Sequence, residues 1–292
     1  MDFNLSAAVQ SSGYKLVRLA NGAYSLHSLG HDETFHPVIG PVAEAEALYV
    51  NQLQLRERLN HHSGEFVIWD VGLGAAANAL TVLRATCGLP CAIRLLSFDH
   101  TIKPLEFALS YAAELGYFSG YENHLQELLH AHRVAFADGP QAVDWELHLA
   151  DFPSLLAQPG ARNLPKPHAI LFDAFSPAKN PAMWTGPLFA NLFHLLDPQR
   201  PCALPTYSRS TMLRVTLLLA GFFVGVGHAT GEKEETTIAA NTLKLLTEPL
   251  DHRWLERARR SHSAEPMTES VYRVAPLSAA TRARLERHPQ FK

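Results

Sequence analysis

The stretch FVIWDVGLGAAAN, residues 66–78, decides the fold of this chain. Its first four residues form an unbroken apolar run, which is typical of a strand buried on both faces of a parallel sheet. The run ends at Asp70, and Gly72 and Gly74 follow before an alanine-rich stretch of helical character. A strand, a glycine turn and a helix in this order predict the nucleotide-binding end of an α/β sheet.

Strand and helix patterns alternate through the rest of the chain, which predicts a Rossmann-like α/β sheet with helices on both faces. Near the N-terminus, Asn21-Gly22 between two mixed apolar runs predicts a small β-hairpin extension, followed by a helix over 43–59. Further strands are predicted at 92–98, 145–150, 168–172, 202–206, 222–226 and 236–240, and further helices at 103–115, 181–196 and 211–219. We therefore expect an N-terminal hairpin and helix extension over 1–60, a central domain over 61–250 and a basic C-terminal tail over 251–292.

Composition excludes several classes of protein. The chain has 292 residues, 47% of them hydrophobic and 18% charged, and only three cysteines, which argues against disorder and against a disulfide scaffold. No apolar run reaches the length of a membrane span and no signal peptide is evident, so we expect a cytoplasmic protein with no membrane partner. The net charge of −3 disfavours broad nucleic-acid coverage, but residues 251–292 hold nine Arg/Lys against five Asp/Glu.

Four carboxylates stand at the ends of predicted strands: Asp70, Asp99, Asp151 and Asp173. In open α/β sheets, ligands bind beyond the carboxyl ends of the strands. Aspartate also favours strand exits and helix N-caps, which is the better explanation for any single one of them. Four at successive strand ends favour a ligand site.

The glycine turn lacks the third glycine of a dinucleotide fingerprint, because Ala77 stands in its place. An acid at Asp70 would repel a diphosphate and suit a cationic ligand. Asp99, at the end of the next strand, is placed to accept hydrogen bonds from both hydroxyls of a ribose. These features favour S-adenosylmethionine over a nicotinamide dinucleotide, and the absence of a Gly-Lys-Ser/Thr motif disfavours a P-loop.

The most distinctive segment is LFDAFSPAKNPAMWT, residues 171–185. It carries Asp173 from a buried strand into a loop that Pro177 and Pro181 stiffen. Phe175 and Trp184 offer flat faces for a base, and Asp173 could orient an acceptor amine. The alternative is a rigid loop with Trp184 in the core.

This segment resembles the Asp-Gly-Phe-x-Pro-x-x-Asn-Pro-x-x-Trp signature of the MnmC-like methyltransferases of the tRNA wobble-uridine 5-methylaminomethyl-2-thiouridine pathway. The resemblance extends in chain order over residues 14–260, at Glu46–Val50, Asp70–Asn78, Thr206–Ser208 and Gly231–Glu235. The chain departs from the family pattern at Asp70 (Glu), at Ala75-Ala76 (Thr-Gly) and at Ala174 (Gly). With 292 residues it leaves no room for the oxidase domain fused in some members, so the stand-alone methyltransferase domain is expected.

The resemblance implies a class I S-adenosylmethionine-dependent methyltransferase that N-methylates the 5-aminomethyl group of a wobble uridine, with tRNA as partner. Asp173 is the expected catalytic residue. The expected cofactor-binding residues are Glu46, Asp70, Gly72, Gly74, Asn78, Asp99, Asp151 and Phe152. The expected substrate-binding residues are Phe175, Lys179, Trp184, Tyr207 and Lys233.

Two alternatives stay open from the sequence: a methyltransferase acting on a small-molecule amine, and a non-catalytic nucleoside-binding relative. No metal is expected, because the sixteen histidines and three cysteines do not fall at zinc-site spacings.

Overall fold

The computed structural model describes residues 13–231 and 234–292, and the chain divides into two compact units. The first comprises Met1–Ala150 with Thr230–Glu232, and the second comprises Asp151–Ala229 with Lys233–Lys292. No helix of the described ranges combines the length and apolar character needed to cross a membrane.

The first unit begins with a small antiparallel sheet, as the hairpin signal predicts. It consists of β1 (Tyr14–Arg18), β2 (Tyr24–Ser28) and β3 (Glu33–Thr34). The turn between β1 and β2 needs Gly22 at φ 89°, and the side chain of Asn21 accepts a hydrogen bond from the Ala23 amide at 3.1 Å. Asn-Gly therefore makes the turn that its side-chain and backbone preferences favour.

The single helix predicted over 43–59 is interrupted in the structure. It consists of α1 (Pro41–Ala45), a π-helical turn (Glu46–Asn51) and α2 (Leu55–Asn60). Gln54 adopts φ 51°, a left-handed conformation that no α-helix accommodates, so the helix restarts after it.

Four adjacent strands form the centre of the first unit. They are β4 (Glu65–Val71), β5 (Ala92–Asp99), β6 (Arg133–Asp138) and β7 (Gln141–Leu149), in the spatial order β4-β5-β7-β6. β4, β5 and β7 run parallel, and β6 pairs antiparallel with β7. The helices between them are α3 (Ala77–Thr86), α4 (Lys103–Leu109), α5 (Ala112–Leu115) and α6 (Glu122–Ala131). The sequence patterns did not predict β6 or α6.

Large side chains from the central strands fill the core of this unit. Trp69 and Trp145 are fully buried, Phe98 is nearly so, and the rings of Trp69 and Phe98 lie 5.3 Å apart. β4 is buried from Phe66 to Val71, as its apolar run predicts, whereas β7 alternates buried residues with more exposed ones.

The second unit also alternates helices with strands. Its elements are α7 (Phe152–Ala157), β8 (Ala169–Phe172), α8 (Gly186–Leu195), β9 (Ala203–Thr206), α9 (Thr211–Ala220), β10 (Phe223–Gly227), β11 (Thr236–Ala240), α10 (His252–Arg260) and α11 (Ala279–Glu286). β8 pairs parallel with β9, and β11 lies antiparallel between β9 and β10. The predicted pairing of 222–226 with 236–240 is confirmed.

The C-terminal segment packs on the outer strand of the second unit. The side-chain amide of Gln290 accepts from the Val224 amide at 2.8 Å and donates to the Val224 carbonyl at 2.7 Å. It also donates to the Leu250 carbonyl at 2.8 Å. The α/β class predicted from the sequence is confirmed in both units, whereas the domain boundaries at 60/61 and 250/251 stay a prediction.

Candidate functional site

The glycine turn follows β4 directly and contains three left-handed residues. Gly72, Gly74 and Ala76 have φ of 92°, 51° and 60°. The Gly72 amide donates to the Phe98 carbonyl at 2.9 Å, which fixes the turn to the end of β5. Helix α3 begins at Ala77, and its second residue, Asn78, is buried. The turn therefore presents backbone amides and a helix N-terminus, an arrangement that favours a polar ligand.

Asp70 is buried at the end of β4, with 1% of its surface exposed. The Ser97 hydroxyl donates to the Asp70 carboxylate at 2.8 Å, and the indole nitrogen of Trp145 donates to that hydroxyl oxygen at 2.9 Å. All three side chains are buried. A carboxylate removed from water needs such donors, so this chain of hydrogen bonds sets where Asp70 points. Sequence inspection missed Ser97 and Trp145, although both stand inside predicted strands.

Asp99 is the last residue of β5, and its side chain is 10% exposed. One carboxylate oxygen accepts from the Gly74 amide at 3.0 Å, and the other accepts from the Thr101 amide at 3.2 Å. The His100 ring nitrogen lies 3.2 Å from the second oxygen. Since each carboxylate oxygen has two lone pairs, both can accept further hydrogen bonds from a ligand. The structure thus joins Asp99 to the glycine turn, whereas its predicted contact with a ribose stays a prediction.

The ring of Phe35, directly after β3, lies against this turn. A Cβ placed on Gly74 would come within 3.1 Å of the Phe35 ring. Tyr14 packs edge-on against Phe35 at 6.4 Å between ring centroids and lies 6.2 Å from Phe107. Burial raises the pKa of the Tyr14 hydroxyl, and the negative charge of Asp99 raises it further. Phe35 and Tyr14 therefore border the glycine turn and Asp99, an arrangement that the sequence patterns did not reveal.

Glu46, predicted beside a ligand ammonium, forms an ion pair with Arg56 at 2.8 Å. The same guanidinium donates to the Ala85 carbonyl at 3.1 Å. This pair joins the π-helical turn to the end of α3, and it gives the Glu46 carboxylate a partner within the fold.

Asp151 and Phe152 begin the second unit. The Asp151 carboxylate caps α7, accepting from the Ser154 amide at 3.0 Å and from its hydroxyl at 2.5 Å. Phe152 is buried, whereas Asp151 is exposed. Capping accounts for an aspartate at this position, and the predicted contact of these two residues with an adenine stays a prediction.

The loop after β8 is held by its own aromatic residues. Asp173 follows the strand directly and is half-buried. The indole nitrogen of Trp184 donates to the Phe175 carbonyl at 2.7 Å, and the Tyr207 hydroxyl donates to the Ala174 carbonyl at 3.0 Å. The backbone before Asp173 is therefore held by the buried strand β8, and the backbone after it is held by hydrogen bonds from aromatic side chains.

Trp184 is only 1% exposed and packs against Phe172 and Tyr207, with centroid separations of 5.4 and 6.0 Å. Its ring fills the interior of the loop, which agrees with the alternative interpretation of this tryptophan as a core residue. Phe175 and Tyr207 are partly exposed and Lys179 is exposed, so these side chains are accessible to a ligand. Lys233 lies outside the described residues.

A buried arginine on α9 is the second feature that sequence inspection missed. Arg214 is 2% exposed, forms an ion pair with Glu235 at 3.2 Å and donates to the Thr236 carbonyl at 2.7 Å. Burial lowers the pKa of its guanidinium, and Glu235 opposes that shift. The pair connects α9 to the start of β11 in the second unit. Arginine within an otherwise apolar helix was the signal that could have found it.

Residues 118–242 match a family described as S-adenosyl-L-methionine-dependent methyltransferase. Among curated proteins, the chain is 31% identical over 211 residues to the tRNA 5-methylaminomethyl-2-thiouridine biosynthesis bifunctional protein MnmC of Aeromonas hydrophila. The match covers 66% of this chain and 30% of that protein. The corresponding protein of Cupriavidus metallidurans is 29% identical over 73% of this chain and 32% of its own length. The chain thus spans about a third of the length of these relatives.

Solved structures show the same fold. MnmC2 from Aquifex aeolicus has a TM-score of 0.70 at 18% identity, covering 98% of this chain and 91% of that one. A spermidine synthase solved with a transition-state analogue has a TM-score of 0.50 at 11% identity, covering 93% of this chain and 84% of that one. The fold matches agree with the α/β class predicted from the sequence.

Proposed function

We propose that this chain, an MnmC-like S-adenosyl-L-methionine-dependent methyltransferase domain, N-methylates the 5-aminomethyl group of a wobble uridine in tRNA. The observation that carries the proposal is the contact between the Gly74 amide and Asp99, which joins a glycine turn to the carboxylate proposed to bind a ribose, at the ends of two parallel strands. The names of the MnmC relatives support tRNA as the acceptor. A tRNA-modifying role also supports a cytoplasmic location.

The residues present fit S-adenosylmethionine, which supplies a methyl group on a positively charged sulfur together with a ribose and an ammonium. Asp99 accepts from the ribose hydroxyls through its remaining lone pairs. Asp70, buried and oriented by Ser97, attracts the positive methionine end of the donor. Gly72, Gly74 and Asn78 line the same end of the site, where the two glycines leave room for the donor because they lack side chains. Glu46, Asp151 and Phe152 are proposed as more distant contacts to the donor.

On the acceptor side, Asp173 accepts a hydrogen bond from the substrate amine and holds its lone pair toward the methyl carbon. In the reaction the nitrogen lone pair forms the N–C bond while the C–S bond breaks. The bonding electrons go to sulfur, which becomes a neutral thioether. The alkylated nitrogen then releases a proton, to Asp173 or to water.

Phe175 and Tyr207 frame the target base in this proposal, and Trp184 supports the loop from its interior. Lys179 and Lys233 are proposed as phosphate contacts. Because positioning and exclusion of water supply most of the rate in such a transfer, the rigidity of the loop is part of its function.

The test is transfer of labelled methyl groups to tRNA bearing 5-aminomethyl-2-thiouridine at the wobble position. We expect label in that nucleoside with the wild type, and a large loss of turnover in Asp173→Asn with donor affinity intact by calorimetry. Label appearing only in a small amine, or full turnover by Asp173→Asn, would contradict the proposal. Glu269→Gln, at an exposed position in the C-terminal segment, is the matched control.

A further inference from the structure

An exposed basic surface lies on the second unit, which also holds the loop from Asp173 to Thr185 (the acceptor loop). Helix α10 buries Trp254, Leu255 and Ala258, whereas Arg253 and Arg257 are exposed. Residues four apart lie one above the other on a helix, so these two guanidiniums share one face. The helix is therefore anchored by its apolar side and presents arginines to solvent.

Arg209 joins this surface from a different element. It is exposed in the loop between β9 and α9. The positive charges of Arg257 and Arg209 both lower the pKa of the buried Arg214, in addition to the larger effect of burial. Arg209 and Arg257 therefore both lie close enough to Arg214 for their charges to act on it.

Acidic side chains neutralise this group only in part. The Trp254 amide lowers the pKa of Asp251, and the nearby charge of Arg253 lowers it further. Glu235 is engaged with Arg214, and within residues 13–231 and 234–292 neither Arg209 nor Arg257 has an ion-pair partner. Arg259, on the same helix, is paired with Glu256 and with Glu286 and is excluded from the surface for that reason. Clustered like charges repel one another and destabilise the fold unless an anion approaches them.

The position of the group indicates which anion. Arg209 is two residues beyond Tyr207, whose hydroxyl bonds to the carbonyl of Ala174, the neighbour of Asp173. A polynucleotide whose base lies at Asp173 would carry its adjacent phosphates past this loop. The chain as a whole has a net charge of −3, so a local positive group stands out as an attractive target for phosphates.

We propose that Arg209, Arg253 and Arg257 bind consecutive backbone phosphates of the tRNA next to the nucleotide that is methylated. This inference rests on the proposed function, since it assigns the partner of the acceptor loop to a defined surface. The ion pair of Arg214 with Glu235 connects α9, directly after the Arg209 loop, to the start of β11.

The test measures binding of an anticodon stem–loop RNA by fluorescence anisotropy across a salt series, with the double variant Arg209→Gln/Arg257→Gln. Each phosphate that the protein no longer binds should reduce the slope of log K against log salt by ~0.7–0.9, so the slope of the double variant should fall by about 1.4–1.8. Arg282→Gln/Arg287→Gln, two exposed arginines at α11, is the control and should keep the wild-type slope. The thermal midpoint at low salt should rise or stay constant in the test variant, because a repulsion is removed.

An unchanged slope in the test variant, or an equal reduction in the control, would overturn the surface assignment. Failure of the proposed methylation would be recognised separately, because RNA binding is measured without turnover. If the wild type transfers no methyl group to tRNA yet the slope falls as expected, the phosphate-binding surface is supported and the proposed methylation is contradicted. If methylation occurs and the slope is unchanged, the reaction stands and the surface is wrong.

Discussion

The glycine turn of the first unit and the Asp173 loop of the second are held in different ways. The turn is fixed by buried groups of the strands beside it: Phe98 holds Gly72, and Trp145 and Ser97 hold Asp70. The loop is fixed by aromatic side chains, Trp184 and Tyr207, which donate to its backbone carbonyls. Substitutions near the turn should therefore alter donor affinity and stability together, whereas substitutions in the loop should mainly alter use of the acceptor.

The largest effect is expected at Asp99. Asp99→Ala removes the acceptor of the Gly74 amide and the proposed ribose contacts, and hydrogen bonds to charged groups are worth about 1.5–3 kcal/mol each. We expect donor affinity to fall roughly 10- to 150-fold by calorimetry. RNA binding should be unaffected. Asp32→Ala, a carboxylate 82% exposed on the N-terminal sheet, is the control. Equal donor affinity in Asp99→Ala and the control would contradict the assignment of the donor to the glycine turn.

Ser97→Ala should have the next largest effect. It removes the donor to Asp70 and leaves the buried indole N–H of Trp145 without its acceptor. An unsatisfied buried group costs about 1–3 kcal/mol, which urea denaturation would measure as a lower free energy of unfolding. Donor affinity should fall as well, because Asp70 is no longer oriented. Ser110→Ala, an exposed serine on the same unit, should change neither quantity. Loss of stability without loss of donor affinity would show that Asp70 does not contact the donor.

Gly74→Ala and Gly116→Ala form a matched pair. Both glycines have positive φ, 51° and 72°, so both substitutions carry a backbone cost of about 1 kcal/mol. Only at Gly74 would the new methyl group meet a neighbour, Phe35 at 3.1 Å, whereas nothing lies within 4 Å at Gly116. The difference between the two unfolding free energies therefore isolates the contact with Phe35. We expect Gly74→Ala to be the more destabilised, and Gly74→Ala/Phe35→Leu to lose this extra cost. Identical costs for the two alanine substitutions would show that Phe35 does not restrict the turn.

Ala76→Gly should act in the opposite direction. Ala76 is buried with φ 60°, the left-handed conformation that glycine adopts without cost. The substitution relieves backbone strain of about 1–2 kcal/mol. Against this gain, the glycine increases the conformational entropy of the unfolded chain, which costs about 0.5–1 kcal/mol of stability. A modest net rise in the free energy of unfolding is expected, measured by urea denaturation against Ala79→Gly, inside helix α3, which should destabilise the fold. A loss of stability in Ala76→Gly would contradict the strain.

The smallest effect is expected from Tyr207→Phe. It removes one donor to the Ala174 carbonyl at a partly exposed position, at a cost of about 0.5–1.5 kcal/mol. The expected result is a higher KM for tRNA with unchanged donor affinity, because the loop loses rigidity while the glycine turn is untouched. Tyr272→Phe, an exposed tyrosine in the C-terminal segment, is the control. A change in donor affinity instead would mean that the loop and the turn are not independent.

The sequence by itself determined the α/β class, most strands and the glycine turn, because these depend on local patterns. Apolar runs of four to eight residues predict buried strands, and an Asn-Gly or Gly-x-Gly turn depends on φ preferences of single residues. The boundaries failed where a single residue adopts an unexpected conformation, as Gln54 does between the π-helical turn and α2.

Only the tertiary structure decided which side chains support those motifs. Ser97 and Trp145 are ordinary strand residues until the parallel register of β4, β5 and β7 brings them to Asp70. Phe35, directly after β3, lies close to Gly74, and Glu235 forms an ion pair with the buried Arg214. These contacts join residues distant in the chain, and a sequence pattern carries information about neighbours along the chain rather than about side chains that packing brings together.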